Sequence, residues 1–117
     1  MKVYLAGPVT DQPLNNAPQF NALAEQLRAQ GYEVVNPIEL CADIAHDWDA
    51  CMARCLPQVV KCDAIAMLYG WQESKGARLE QEKAAARGIP TYSAYQLSQR
   101  PADSLLALPL RGEVAAG

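Results

Sequence analysis

Four short apolar runs alternate with three stretches of helical spacing, and this alternation limits the fold more than any other feature of the chain. The runs are Val3–Ala6, Tyr32–Val35, Ala64–Leu68 and Ile89–Tyr92. Gly7-Pro8 closes the first and Asn36-Pro37 the second, both pairs that break regular structure. Between the first two runs, Phe20, Leu23, Ala24 and Leu27 recur at helical spacing, and Gly31 supplies a stop. Cys51/Met52, Cys55/Leu56 and Val59/Val60 define a second helical face. Pro57 falls inside it, where it costs about 3 kcal/mol or forces a kink, so a restart near Leu56 is expected. A third helix should follow the Tyr69–Ser74 loop and run to Arg87, with Gly88 as its stop. The order is β-α-β-α-β-α-β, with connections long enough for parallel crossovers. Strands apolar on both faces need helices on both faces. The expectation is a small doubly wound parallel α/β sheet of four or five strands, in the order 2-1-3-4.

A chain of 117 residues holds one such unit. We place the domain at 1–93 and treat 94–117 as a C-terminal extension that packs on the domain or on a neighbouring subunit. A short helix over Pro101–Leu108 is expected in that extension, which has an apolar set of Leu105, Leu106, Leu108 and Leu110. A formal net charge of −3 gives no basic face for a nucleic-acid polymer. Two Trp, five Tyr and one Phe are too few for a base-stacking platform. No run approaches a membrane span, and the start of the chain reads as a strand rather than a signal peptide. The expectation is therefore a cytoplasmic protein with reduced thiols. Cys41, Cys51, Cys55 and Cys62 contain no Cys-x-x-Cys pair. Cys51 and Cys55 share a helix face and have the spacing to clip a metal, but buried thiols are the simpler reading, and no metal is assigned. His46 reads as a loop or surface residue.

In a doubly wound sheet the ligand lies at the carboxyl ends of the strands, where the strand order reverses. This selects the loop Gly7–Asn16 after the first strand and Gly70–Ser74 after the third. The second loop leads into Ser74-Lys75-Gly76-Ala77-Arg78-Leu79-Glu80. Ser74 and Gly76 at a helix start offer free backbone N–H groups to an anion such as a phosphate. No Walker pattern and no G-x-G-x-x-G is present, which disfavours nucleoside triphosphates and dinucleotides. Glu80 lies within reach of the positive end of the same helix and is the candidate for chemistry. Its alternative is a solvated carboxylate, as Glu82 beside it is read.

Several short motifs occur together in order: Tyr4-Leu5-Ala6-Gly7-Pro8, Pro18-Gln19-Phe20-Asn21, Val34-Val35-Asn36-Pro37, Trp48 with Met52 and Arg54, Cys62-Asp63-Ala64-Ile65, and Gly70-Trp71 with Ser74-x-Gly76-Ala77-Arg78-Leu79-Glu80. In this set the chain resembles the nucleoside 2-deoxyribosyltransferase-like superfamily, and more closely its small branch found in phages and bacteria. The resemblance covers about residues 1–92 and implies a Rossmann- or flavodoxin-like sheet. It also implies cleavage or transfer at the N-glycosidic bond of a nucleoside or nucleoside 5′-monophosphate. Glu80 matches the nucleophile, which attacks C1′ to form a glycosyl-enzyme. Tyr4 matches the residue that orients this carboxylate; otherwise it packs in the sheet. Ser74 matches a position that binds the sugar or a 5′-phosphate; otherwise it caps a helix. Arg78 assists with a phosphate or is simply exposed, and Trp71 floors the base pocket or covers the sheet edge. Gly7, Pro8, Gly70 and Gly76 complete the expected substrate-binding set.

Relatives carry Asp where this chain has Cys55, within Arg54-Cys55-Leu56. That Asp acts on the nucleobase, whereas a thiol is a poor general acid for a purine leaving group. Asp49 and Asp63 are the nearest substitutes, with Asp63 at the wrong end of its strand. The resemblance implies no organic cofactor or metal, and assembly into a homodimer or larger oligomer. Two alternatives stand beside the enzyme reading. One is a nucleotide-binding module without catalysis, and the other is a phage accessory protein that acts by protein contact.

Overall fold

The computed structural model describes residues 1–99. The expected helix over Pro101–Leu108 and the apolar tail lie outside the described residues. Four strands, β1 (Lys2–Ala6), β2 (Glu33–Val35), β3 (Ala64–Met67) and β4 (Thr91–Ser93), form one sheet in the order β2-β1-β3-β4. Every pairing is parallel, with Tyr4 opposite Val35 on one side and Ile65 on the other. The crossovers are α1 (Ala17–Ala29), a one-turn α2 (Pro37–Leu40) followed by α3 (Trp48–Val59), and α4 (Lys75–Ala86); α5 (Ala94–Ser98) follows β4.

Strand side chains alternate between faces, and the core divides accordingly. Val3, Leu5, Ala64 and Ala66 pack with Phe20, Ala24 and Leu27 of α1 and with Ala94 and Leu97 of α5. Tyr4, Ala6, Ile65 and Met67 pack with Cys55 and Val59 of α3 and Ala77 and Ala84 of α4. Each face of the sheet is therefore roofed by two helices among the described residues. Among the described residues no helix is long and apolar enough to cross a membrane.

Local departures from expectation have identifiable causes. Helix α3 runs unbroken through Pro57. The carbonyl that Pro57 leaves without an amide partner belongs to Ala53, and both residues are exposed, on the solvent side of the helix. Strand β4 begins two residues later than expected, because the Ile89 N–H closes the end of α4 on the Ala84 carbonyl (2.9 Å). Pro90 has no N–H to give a ladder, although its carbonyl accepts from Ile65 N–H. The extra turn α2 starts at Asn36-Pro37, where the Asn36 side chain accepts from Ile38 N–H and Pro37 occupies the first helical position. Asn36 also donates to Asn21 Oδ1 (2.9 Å), so this buried amide ties α1 to the end of β2.

Candidate active site

The end of β1 and the end of β3 must part for a ligand, and glycine governs how closely they approach. A side chain at Gly7 would bring its Cβ to 2.6 Å from Leu68 Cβ, so only glycine fits there without a shift. Gly70 turns the chain after β3 with φ of 85°, in the left-handed region that favours glycine. Gly76, in the first turn of α4, lies against Met52 Sδ and Trp48 Nε1 and lets α4 approach α3. Pro8, Thr10, Asp11, Gln12, Trp48, Tyr69, Gly70, Glu73, Ser74, Lys75 and Gly76 line a cleft of about 690 Å³ at this end of the sheet. Its lip is the loop after β1, where Asp11, Leu14, Asn15 and Asn16 all adopt positive φ, a conformation costly for side-chain-bearing residues.

Deeper in the same face, Tyr4 of β1 donates its hydroxyl to Glu80 Oε2 of α4. The contact follows from sequence geometry: Tyr4 points to the α3/α4 side of the sheet, and Glu80 lies on the face of α4 that also carries Gly76, Ala77 and Ala84. The small neighbours bring the helix close to the sheet and bury Glu80 to 5% exposure. Burial raises its pKa to about 7, and the Tyr4 hydrogen bond opposes that rise. The Tyr4 hydroxyl is held well above its ordinary pKa, first by burial and then by Glu80, so it stays a donor. Cys55 packs in the same buried cluster as Tyr4, and burial raises its pKa and keeps it a thiol. A carboxyl group with a raised pKa, a neutral phenol and a thiol thus meet against the sheet.

The predicted site residues sort into three groups. Glu80, Tyr4 and Cys55 come together as a buried cluster. Pro8, Gly70, Ser74 and Gly76 line the cleft, whereas Glu80 and Tyr4 do not. Gly7, Trp71 and Arg78 are outside both groups. Trp71 packs against the core of the α3/α4 face, and Arg78 is exposed, donating to the Gln72 carbonyl (2.8 Å). The Ser74 hydroxyl accepts from Ala77 N–H (3.2 Å) and caps α4. Arg54 forms a two-pronged ion pair with Asp43 (2.6 and 3.4 Å) and donates to the Leu40 carbonyl, so it braces the α2–α3 connection. Asp63 accepts from Lys2 N–H at the opposite end of the sheet, and Asp49 is exposed in the first turn of α3.

Two features escaped sequence reasoning. Lys75 stands over the Trp48 ring, 5.0 Å from its centre, and places a cation on the cleft beside the start of α4. Its signal was present as the residue between Ser74 and Gly76, but the partner ring lies on another helix. The second corrects the expectation of reduced thiols: Cys41 and Cys51 form a disulfide, with Cα atoms 5.6 Å apart. The one-turn α2 and the turn after it carry Cys41 back onto α3, a path hidden when this segment is read as loop. Cys55 and Cys62 are free and buried.

No curated protein and no solved structure matches the chain in the comparisons made. A family model matches residues 1–92, which carry the whole sheet to within one residue of the end of β4, the cleft and the Tyr4–Glu80 pair. The chain belongs to that family, the domain of unknown function DUF4406.

Proposed function

We propose that this protein cleaves the N-glycosidic bond of a nucleoside or nucleoside 5′-monophosphate, with Glu80 as nucleophile and Tyr4 as the group that orients it. The observation that carries the reading is the buried hydrogen bond from Tyr4 to Glu80, two residues 76 positions apart in the chain. In the proposed reaction the Glu80 carboxylate forms a bond to C1′ as the bond from C1′ to the base nitrogen breaks. The departing base keeps that electron pair and takes a proton. Water or a second base then attacks C1′, releases the sugar, and regenerates the carboxylate. Tyr4, held neutral, donates to one carboxylate oxygen and leaves the other to react.

The start of α4 and Lys75 support a 5′-phosphate on the substrate, because backbone N–H groups and a cation converge on one side of the cleft. The reaction needs no organic cofactor and no metal, since carboxylate chemistry suffices. The same reading places the protein in the cytoplasm as a homodimer or larger assembly, with a small nucleoside or nucleotide as its partner and no polymer or membrane.

One observation favours a second reading, a nucleotide-binding module without turnover. Glu80 does not line the cleft, and Cys55 stands where the resemblance implies an acid for the base. Incubation with a panel of nucleosides and 5′-monophosphates, with free base measured by chromatography, separates the two. Base release by the wild type and none by Glu80→Gln supports the enzyme. Binding of a monophosphate by both proteins with no base released supports the module.

A further inference from the structure

Three cysteines converge at a place the proposed chemistry does not require. Cys41 sits at the C-terminal cap of α2, and Cys51 and Cys55 lie one turn apart on α3. Their sulfurs all fall within 4.8 Å of one another. Cys55 Sγ is 3.5 Å from Cys41 Sγ and 3.8 Å from Cys51 Sγ. A zinc–thiolate bond is about 2.3 Å, and at a tetrahedral angle two such sulfurs stand about 3.8 Å apart. One edge of the sulfur triangle therefore already has the length a bound ion imposes, and a second, at 3.5 Å, is close to it. The third edge is the Cys41–Cys51 disulfide. A dithiol reductant supplies its two electrons and two protons, returns both residues as thiols, and removes the bond that holds that edge short.

We propose that the reduced chain binds one Zn²⁺ ion through the thiolates of Cys41, Cys51 and Cys55. The site and the disulfide are then alternative states of the same residues. Three S–H protons leave to solvent as three Zn–S bonds form, with no change of oxidation state. Thiolates select a thiophilic ion over a hard one, and no carboxylate joins the cluster among the described residues. A doubly charged ion leaves one uncompensated negative charge in this buried place, where a singly charged one would leave two. Spacing along the chain concealed the set, because the third ligand comes from a separate helix end rather than a Cys-x-x-Cys pair. Glu80 is not a ligand, and although Cys55 packs in the cluster that holds Tyr4, metal binding is read without base release, so its failure is distinguishable from failure of the glycosidic reading.

The test uses the full chain, reduced and kept anaerobic, titrated with Co²⁺ as a visible probe and then with Zn²⁺. The expected result is one equivalent of Co²⁺ with strong thiolate-to-cobalt absorption, displaced by one equivalent of Zn²⁺. Cys55→Ser should weaken binding at least tenfold, Cys62→Ser should leave it unchanged, and the oxidised chain should show no thiolate absorption. X-ray absorption at the zinc edge of the wild type should find three sulfur neighbours, a readout independent of how any variant folds. Fewer than three sulfurs, no thiolate absorption in the reduced wild type, or equal binding by Cys55→Ser overturns the proposal.

Discussion

Replacing Tyr4 by Phe removes one oxygen from the buried cluster and leaves the ring that packs on the sheet. Its effect can be worked from the charge it leaves behind. Glu80 is pushed up to about 7 by burial, and the Tyr4 hydroxyl is the group that pulls it down. A hydrogen bond to an ionised group contributes about 1.5–3 kcal/mol, and 1.36 kcal/mol corresponds to one pH unit. Losing it should raise the Glu80 pKa by about one to two units. At pH 7 the ionised fraction then falls from about one half to between a tenth and a hundredth. If the carboxylate is the nucleophile, base release at pH 7 drops about fivefold to fiftyfold, and much of the loss returns at higher pH. The assay is the pH profile of kcat/KM for the best substrate, paired with a carboxyl NMR titration of Glu80 that needs no activity. An upward shift of both midpoints is the expected result. A Glu80 midpoint that stays in place or moves down refutes the assigned role of the hydroxyl.

Other consequences follow from the same cluster and its supports. Glu80 has a higher pKa folded than its ordinary value of 4.5, so the folded state holds the extra proton between the two values. Its contribution to stability is full below about 4.5 and is lost as pH rises through about 7, roughly 3 kcal/mol in all. Chemical denaturation from pH 5 to 8 should show this decline in the wild type and a flatter profile in Glu80→Gln. Gly7→Ala forces a Cβ against Leu68 and should cost about 1–3 kcal/mol by the same measurement. Unchanged stability would mean that the two strand ends are not closely apposed. Cys55→Asp places at this position the acid that the resemblance implies. It should raise base release while lowering stability, because it adds a carboxyl to a position only 1% exposed. No gain in rate would assign protonation of the base to another group.

The sheet was legible because its strands are apolar on both faces and breakers separate them, so parallel pairing follows from crossover length, and 2-1-3-4 is the simplest order that right-handed crossovers allow. The two-sided core follows from the same alternation, with Tyr4 and Leu5 necessarily on opposite faces. Glu80 was legible through the motif it resembles, and its burial was written in its neighbours: Gly76, Ala77 and Ala84 share its helix face. What stayed hidden depended on contacts between distant segments. Asn36-Pro37 reads equally as a turn or a helix start, so α2 was missed, and with it the return of Cys41 to α3. The roles of Arg54 and Arg78 could not be read either. An arginine in a helix looks the same whether it serves a ligand or, as here, an aspartate and a backbone carbonyl.

The central claim is that Glu80 bonds to the sugar, and peptide mapping of an acid-quenched reaction tests it most directly. Trypsin releases Leu79–Lys83, which carries both Glu80 and Glu82. The expected result is a peptide heavier by one glycosyl group, with fragmentation placing the sugar on Glu80 and none on Glu82. Base released while this peptide stays unmodified, or a sugar found on Glu82, would contradict the account.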